Sequence, residues 1–290
     1  MVGLKRFGIF FVTNLLVMAV LSVILSLINI PMDQMWGLLA ICAIFGFAGS
    51  FISLWTSKFT VKLAYKVKLI KPLEAGGKER FLYDTILKMA EFEGIKMPEV
   101  GIYPSHDVNA FATGATRNSS LIAFSSGLLD SLTEDEIAAV AGHEMTHITQ
   151  GDMVTMTLLM GMVNTFVMFL ARVLAFALDV AMRDKRGRGG LGYFGYFIVV
   201  MLLQNVLFLL AYIPICSYSR HREYRADSGA ARLTGAGNMI NALQKIGRLH
   251  QPEKKTDAYA MAKINNTRRA SLYATHPALQ DRIERLQKMI

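Results

Sequence analysis

The stretch TEDEIAAVAGHEMTHITQGD, residues 133 to 152, carries the strongest functional pattern in this chain. Thr133 followed by Glu136 is a capping box, which predicts that a helix begins here. Ten residues later the helix carries the pattern His-Glu-x-x-His, and side chains four positions apart lie on one helical face. Two imidazoles at this spacing can hold one Zn²⁺, and Glu144 lies beside them to act on water.

An accidental match is the alternative explanation of so short a pattern, because a single helical His usually packs in a core or faces solvent. The chain has only 6 His. A chance placement of two of them, His143 and His147, at ligand spacing around Glu144 is rare. The capped helix start and the small residues Ala138, Ala139, Ala141 and Gly142 also favour a metal site.

The composition is that of a membrane protein, since 53% of the 290 residues are hydrophobic and only 18% are charged. The net charge is +9. Basic residues flank the apolar runs and no nucleic-acid-binding pattern is present, so we expect the lipid bilayer as a partner and no nucleic acid. Cys42 and Cys216 lie inside apolar runs, which predicts reduced packing residues and no role in zinc binding.

Four apolar runs are long enough to cross a bilayer, at residues 7–30, 35–55, 153–182 and 193–216. The first is too long for a signal-peptide core and lacks a cleavage site, which predicts an uncleaved anchor. Lysines and an arginine flank both ends of the first pair, so the positive-inside rule places those ends in the cytosol.

The third and fourth runs are joined by a basic loop, residues 183–190. If both runs span, this loop lies outside the cytosol, against the positive-inside rule. The alternative is that the pair packs on the soluble domain or lies in the membrane interface. In either case the segments before and after the pair end on the same face of the membrane.

The sequence therefore predicts a mainly α membrane protein. It has about four hydrophobic helices and a cytosolic α+β zinc-peptidase domain with a small antiparallel sheet. The predicted parts are an N-terminal transmembrane hairpin (1–55), a first part of the catalytic domain with the zinc-motif helix (56–152), a second hydrophobic pair (153–216) and a second part of the catalytic domain with the third zinc ligand (217–290).

A catalytic zinc needs a third protein ligand. The longer zinc motif His-Glu-x-x-His-x-x-Gly-x-x-His is not present, because Gln150 stands in place of its Gly and Met153 in place of its third His. Asp152 is near, but five residues after His147 it would face another side of a continuous helix. The better candidates are Glu223 as ligand and Asp227, four residues on, as acceptor for a ligand His ring N–H. The alternative is a solvated face of charged residues.

With these residues in place, the chain resembles the HtpX family of membrane-integral zinc metalloproteases, which are related to CAAX prenyl proteases. The resemblance covers nearly the whole chain, from the N-terminal hairpin to the short C-terminal tail. It implies that His143, His147 and Glu223 bind one zinc ion per chain and that Glu144 is the general base. It also implies a multi-pass protein of the bacterial inner membrane that cleaves misfolded membrane proteins on the cytosolic side during stress.

Two further segments are assigned through this resemblance. Asn109, Ala110, Phe111 and Ala112 are similar to the edge strand with which related zinc peptidases bind extended substrates. His276, within Thr-His-Pro, resembles a tail motif and could stabilise the oxyanion or gate the metal. A structural role at a helix start is the alternative for His276.

Two other functions compete with a cytosolic endopeptidase. One is an intramembrane zinc protease, which the charged start of the zinc-motif helix disfavours because charges deep in a bilayer are costly. The other is a non-catalytic membrane scaffold that binds metal, which the presence of Glu144 disfavours.

Overall fold

The protein is mainly helical around one small sheet in the computed structural model, which describes residues 35–249, 272 and 274–290. The first apolar run, 7–30, lies outside the described residues. The helices are α1 (Met35–Tyr65), α2 (Gly77–Phe92), α3 (Ser126–Ser131), α4 (Glu134–Gln150), α5 (Asp152–Ala181), α6 (Gly192–Thr234), α7 (Ala236–Leu249) and α8 (Leu279–Gln287). The strands are β1 (Lys68–Leu69), β2 (Glu99–Tyr103), β3 (Ala110–Thr116) and β4 (Ser119–Ser125).

Three of these helices, α1, α5 and α6, are long and apolar enough to cross a membrane. They correspond to the second, third and fourth apolar runs, so the prediction of a mainly α membrane protein is confirmed. Helix α6 is 43 residues long and continues through Pro214 into the segment that carries Glu223. The apolar run and the predicted ligand helix are therefore one helix, and no break separates them at residue 216.

The sheet is mixed, where the sequence predicted an antiparallel one. Its strand order is β1-β2-β4-β3. Strands β3 and β4 form a hairpin and pair antiparallel across a short turn, in line with the prediction. Strand β2 nevertheless pairs parallel with β4. The chain reverses once after β2 and again in the hairpin, so β4 regains the direction of β2 and lies beside it.

The zinc-motif helix α4 lies in a continuous hydrophobic core. Ile86 of α2, Phe124 of β4 and Met145 of α4 are all fully buried in it. Strand β4 is central in the sheet and buried along nearly its whole length. Since α4 packs against α2, α7, β3 and β4, most of its residues are buried, including His143, Glu144 and His147.

The described residues divide into two compact units, one made of 35–51 with 157–214 and the other of 52–156 with the C-terminal part from 215. In the first unit, Arg172 is buried and its Nη1 donates to Met168 O at 2.9 Å. In the same unit, Asp179 accepts hydrogen bonds from Arg183 and from the backbone N–H of Leu191, which orders the basic loop. The sheet and the zinc-motif helix belong to the second unit.

Candidate metal centre

Helix α4 begins as predicted with a complete capping box. Glu136 N donates to Thr133 Oγ1, and Thr133 N donates to Glu136 Oε2 at 2.8 Å. Lys245 of α7 adds an ion pair to the same carboxylate at 3.0 Å. Burial raises the pKa of Glu136, but the Thr133 and Lys245 contacts outweigh burial and hold the pKa below its usual value. The start of the helix is therefore fixed by hydrogen bonds and charge.

His143, His147 and Glu223 converge at one point. The two Nε2 atoms are 3.2 Å apart. Glu223 Oε2 lies 3.6 Å from His143 Nε2, and Glu223 Oε1 lies 3.4 Å from His147 Nε2. All three side chains are buried. In the part of the chain that the structure describes, no other group of three or more His, Cys, Asp or Glu side chains is placed to hold a metal ion.

The donor set fits a zinc ion by its chemistry. Two imidazole nitrogens and one carboxylate oxygen lie within 4.8 Å of one another. Three protein ligands of this kind leave a fourth position open, which is the usual arrangement of a catalytic zinc site.

Small residues allow α4 and α6 to approach closely enough to form this cluster. A Cβ atom built on Gly142 would lie 3.3 Å from Ala230 Cα, and one built on Gly229 would overlap the Thr146 side chain. Thr146 directly precedes His147, and Gly229 follows Asp227 by two residues. The helices therefore meet backbone to backbone beside the candidate ligands.

A carboxylate lies next to the Nδ1 atom of each His. Asp227 Oδ1 lies 3.0 Å from His143 Nδ1, as the sequence predicted, and Arg282 of α8 binds both oxygens of Asp227. Asp152 Oδ2 lies 2.7 Å from His147 Nδ1. The hydrogen bond between Asp152 and His147 Nδ1 fixes the proton there and leaves His147 Nε2 to face the cluster.

The buried charges are strongly coupled. Burial lowers the pKa of His143, but its contacts with the carboxylates of Asp227 and Glu223 outweigh burial and raise this pKa to about 9. Burial raises the pKa of Glu223, and its contacts with His143, His147 and His276 bring it well below its usual range. The carboxylates thus stay ionised, and the centre is complementary to a cation.

The predicted general base, Glu144, is buried beside His143 on α4. Burial lowers the pKa of Arg282, whereas the negative charges of Asp227, Glu223 and Glu144 raise it. Glu144 is therefore close enough to the centre to influence the groups behind the candidate ligands.

His276 precedes α8, and its Nδ1 lies 2.9 Å from Glu223 Oε2. Its side chain is 64% exposed, in contrast to the buried candidate ligands. His276 is therefore exposed to solvent and contacts the Glu223 carboxylate.

Of the four residues assigned to substrate binding, Ala110, Phe111 and Ala112 lie in β3, and Asn109 directly precedes the strand. Strand β3 is at the edge of the sheet and packs against α4. Asn109 O accepts from Ser125 N at 2.9 Å. Within the described ranges, no further strand pairs with the outer side of β3.

Sequence reasoning missed the role of Asp152, and it gave no role to Arg225 or Arg282. Asp152 was excluded as a ligand because it was treated as a continuation of α4. The available signal was Gly151, a typical residue for ending a helix in the left-handed conformation. In the structure Gly151 has φ 69° and ends α4.

Comparison with known proteins gives concordant results. The profile of peptidase family M48 matches residues 78–290. The chain is 45% identical to the Protease HtpX of Aeromonas hydrophila over 291 residues, which covers 98% of this chain and 100% of that protein. It is 43% identical to the Protease HtpX of Pasteurella multocida over 288 residues, covering 99% of each chain.

The fold is also similar to a solved structure, the crystal structure of S. mikatae Ste24p. The TM-score is 0.67 at 20% sequence identity, and the similarity covers 99% of this chain and 67% of that one. At this identity the likeness concerns the fold alone.

Proposed function

The chain belongs to peptidase family M48 and is a membrane metalloprotease, and we propose that it is a zinc-dependent endopeptidase of the bacterial inner membrane. Its proposed substrates are misfolded or damaged membrane proteins, cleaved on the cytosolic side as part of quality control under stress. One observation carries the proposal: His143, His147 and Glu223 converge while Glu144 lies beside them on α4.

His143, His147 and Glu223 would hold one zinc ion per chain, with Asp227 orienting His143 through Nδ1. When bound, zinc would act as a Lewis acid and lower the pKa of a water molecule toward about 7. The protein supplies the buried, preoriented ligand set that this chemistry requires.

Glu144 is the proposed general base. It accepts a proton from the water that attacks the scissile carbonyl and passes that proton to the leaving amine. Arg282 keeps Asp227 in place by a bidentate contact. His276 is exposed beside Glu223 and is the proposed donor to the oxyanion.

Strand β3 is the proposed binding site for the substrate backbone. An extended peptide can add to the free edge of a sheet through main-chain hydrogen bonds. Ala110, Phe111 and Ala112 lie on that edge, and the strand packs against α4, which carries Glu144. A peptide bound along residues 109–112 would thus have its scissile bond aligned with the candidate metal centre.

The proposed location and substrates are supported by three helices able to cross a bilayer and by the similarity to HtpX proteases. Lys66, Lys68 and Lys71 follow α1 directly, which favours a cytosolic position for this end by the positive-inside rule. Cleavage next to a bilayer favours substrates that are themselves membrane proteins.

Cleavage of an unfolded, fluorescently labelled protein by the purified full chain tests this function. Glu144→Gln should reduce the rate by about 100-fold to 10,000-fold, because the base is lost while its shape is kept. Glu134→Gln, in the exposed first turn of the same helix, is the matched control and should cleave like wild type. A Glu144→Gln variant as active as Glu134→Gln would disprove the proposed mechanism.

A further inference from the structure

A left-handed residue changes the direction of the chain directly after the zinc motif. Gly151 has φ 69° and ψ 32°, and its N–H donates to the carbonyls of His147 and Ile148. On a continuous α-helix, a residue five positions after His147 would lie about 140° around the axis from it. Because α4 ends at Gly151, Asp152 is the first residue of α5. Its side chain therefore contacts His147.

The carboxylate of Asp152 is almost completely buried, with 1% of the residue exposed. Its Oδ2 lies 2.7 Å from His147 Nδ1, and its Oδ1 accepts from Arg225 Nη2 at 3.0 Å. A buried carboxylate is costly unless charged or hydrogen-bonding groups contact it. Both oxygens of Asp152 have such a partner, so the residue is held in one orientation.

We infer that Asp152 and Arg225 are a positioning pair that fixes the ring of His147 for metal binding. The inference rests on the proposed function, in which His147 binds zinc through Nε2. A carboxylate that accepts the Nδ1 proton selects this tautomer, orients the ring and makes Nε2 a stronger ligand. Arg225 supplies the charge that keeps the Asp152 carboxylate aimed at the ring.

A carboxylate and an arginine also lie behind the other imidazole, where Asp227 Oδ1 is 3.0 Å from His143 Nδ1 and Arg282 donates to Asp227. The two arrangements use different elements. Asp152 comes from the start of α5 and Arg225 from α6, whereas Asp227 comes from α6 and Arg282 from α8. Helix α6 therefore contributes to both arrangements, with Arg225 behind His147 and Asp227 behind His143.

The zinc affinity of purified full-length Asp152→Asn protein tests the inference, measured by competition with a chelator. Asn keeps the shape of the side chain and removes its charge, so we expect zinc affinity to fall about 10-fold to 100-fold. Arg225→Gln should cause a smaller loss. With Co²⁺ in place of zinc, the visible absorption bands of both variants should differ from those of wild type.

Three further variants separate positioning from general stability. Glu93→Gln removes the carboxylate that pairs with Arg232, and its zinc affinity and Co²⁺ spectrum should equal those of wild type. A Cβ at Gly151 has space, since its nearest atom would be Arg117 Nε at 3.9 Å. Gly151→Ala should therefore weaken zinc binding through backbone strain alone, and Gly151→Asn, which tolerates φ near +60°, should weaken it less.

The outcomes are distinguishable. The inference is supported if Asp152→Asn and Arg225→Gln weaken metal binding, alter the Co²⁺ spectrum and keep a cooperative unfolding transition without metal. It is overturned if both variants bind zinc within twofold of wild type, whatever their thermal stability. If the wild-type chain binds no zinc, the proposed function fails, and this inference fails with it.

Discussion

At the scale of single residues, the candidate metal centre depends on the absence of side chains where α4 and α6 meet. A Cβ built on Gly229 would lie 2.8 Å from Thr146 Cβ, which real atoms do not allow. Gly229→Ala should push the helices apart, destabilise the protein by about 1–3 kcal/mol and weaken zinc binding. Thermal unfolding and a chelator competition measure the two effects.

Gly237→Ala is the control for this substitution. No heavy atom lies within 4 Å of a Cβ built at Gly237, which is in α7. This variant should bind zinc like wild type and unfold at the same or a slightly higher temperature, since Ala favours helix over Gly. If Gly229→Ala and Gly237→Ala changed zinc binding and the unfolding temperature equally, the close contact between α4 and α6 would not be what forms the centre.

The site could be predicted from the sequence where it depends on spacing within one helix. Four residues separate His143 from His147, and four separate Glu223 from Asp227, so each pair lies on one helical face. The structure brings these four residues together. Asp152 could not be placed in this way, because its position depends on the left-handed conformation of Gly151 and on Arg225, 73 residues further along the chain.

At the scale of elements, the start of α4 gives a prediction for pH dependence. The pKa of Glu136 is lowered in the folded protein. Its ionised form therefore contributes stability above its unfolded value of 4.5, and this contribution is lost as the pH falls through the folded pKa. Glu136→Gln should lower the unfolding temperature near pH 7 and have little effect near pH 3.

Thermal unfolding of both proteins between pH 3 and pH 7 measures this difference. Gln can still accept the hydrogen bond from Thr133 N, so the substitution removes mainly the charge that faces Lys245. A destabilisation of the same size at pH 3 and pH 7 would contradict the electrostatic explanation.

Most elements could be predicted from hydrophobic periodicity, but their connections could not. The sequence predicted a small antiparallel sheet, yet the parallel pairing of β2 with β4 depends on two chain reversals whose combined geometry is not local. Similarly, the sequence assigns the apolar run 193–216 and the polar residues from 217 to different parts of the protein. In the structure α6 continues through Pro214 and beyond Cys216, because a change from apolar to polar composition does not by itself end a helix.

At the scale of the whole molecule, α5 and α6 are long and apolar enough to cross a bilayer, and we predict that both do, with the zinc-motif helix in the cytosol and the basic loop outside it. Glu134 and Arg186 are exposed at these two places. Cysteines introduced at each position, after replacement of Cys42 and Cys216, can be labelled with a membrane-impermeant maleimide. Glu134→Cys should react in inverted vesicles only, and Arg186→Cys in spheroplasts only.

Labelling of both positions from one side would show that α5 and α6 do not both cross the bilayer. Labelling of Glu134→Cys in spheroplasts would contradict a cytosolic active site. The experiment thereby tests the interpretation of the basic loop, which conflicts with the positive-inside rule when both helices span.

If His143, His147 and Glu223 hold one zinc ion, the purified full chain contains that zinc. Elemental analysis should find one zinc per chain in wild type and in Glu144→Gln, and almost none in Glu223→Gln. Circular dichroism would show that all three proteins are folded. Equal zinc content in wild type and Glu223→Gln would contradict the claim.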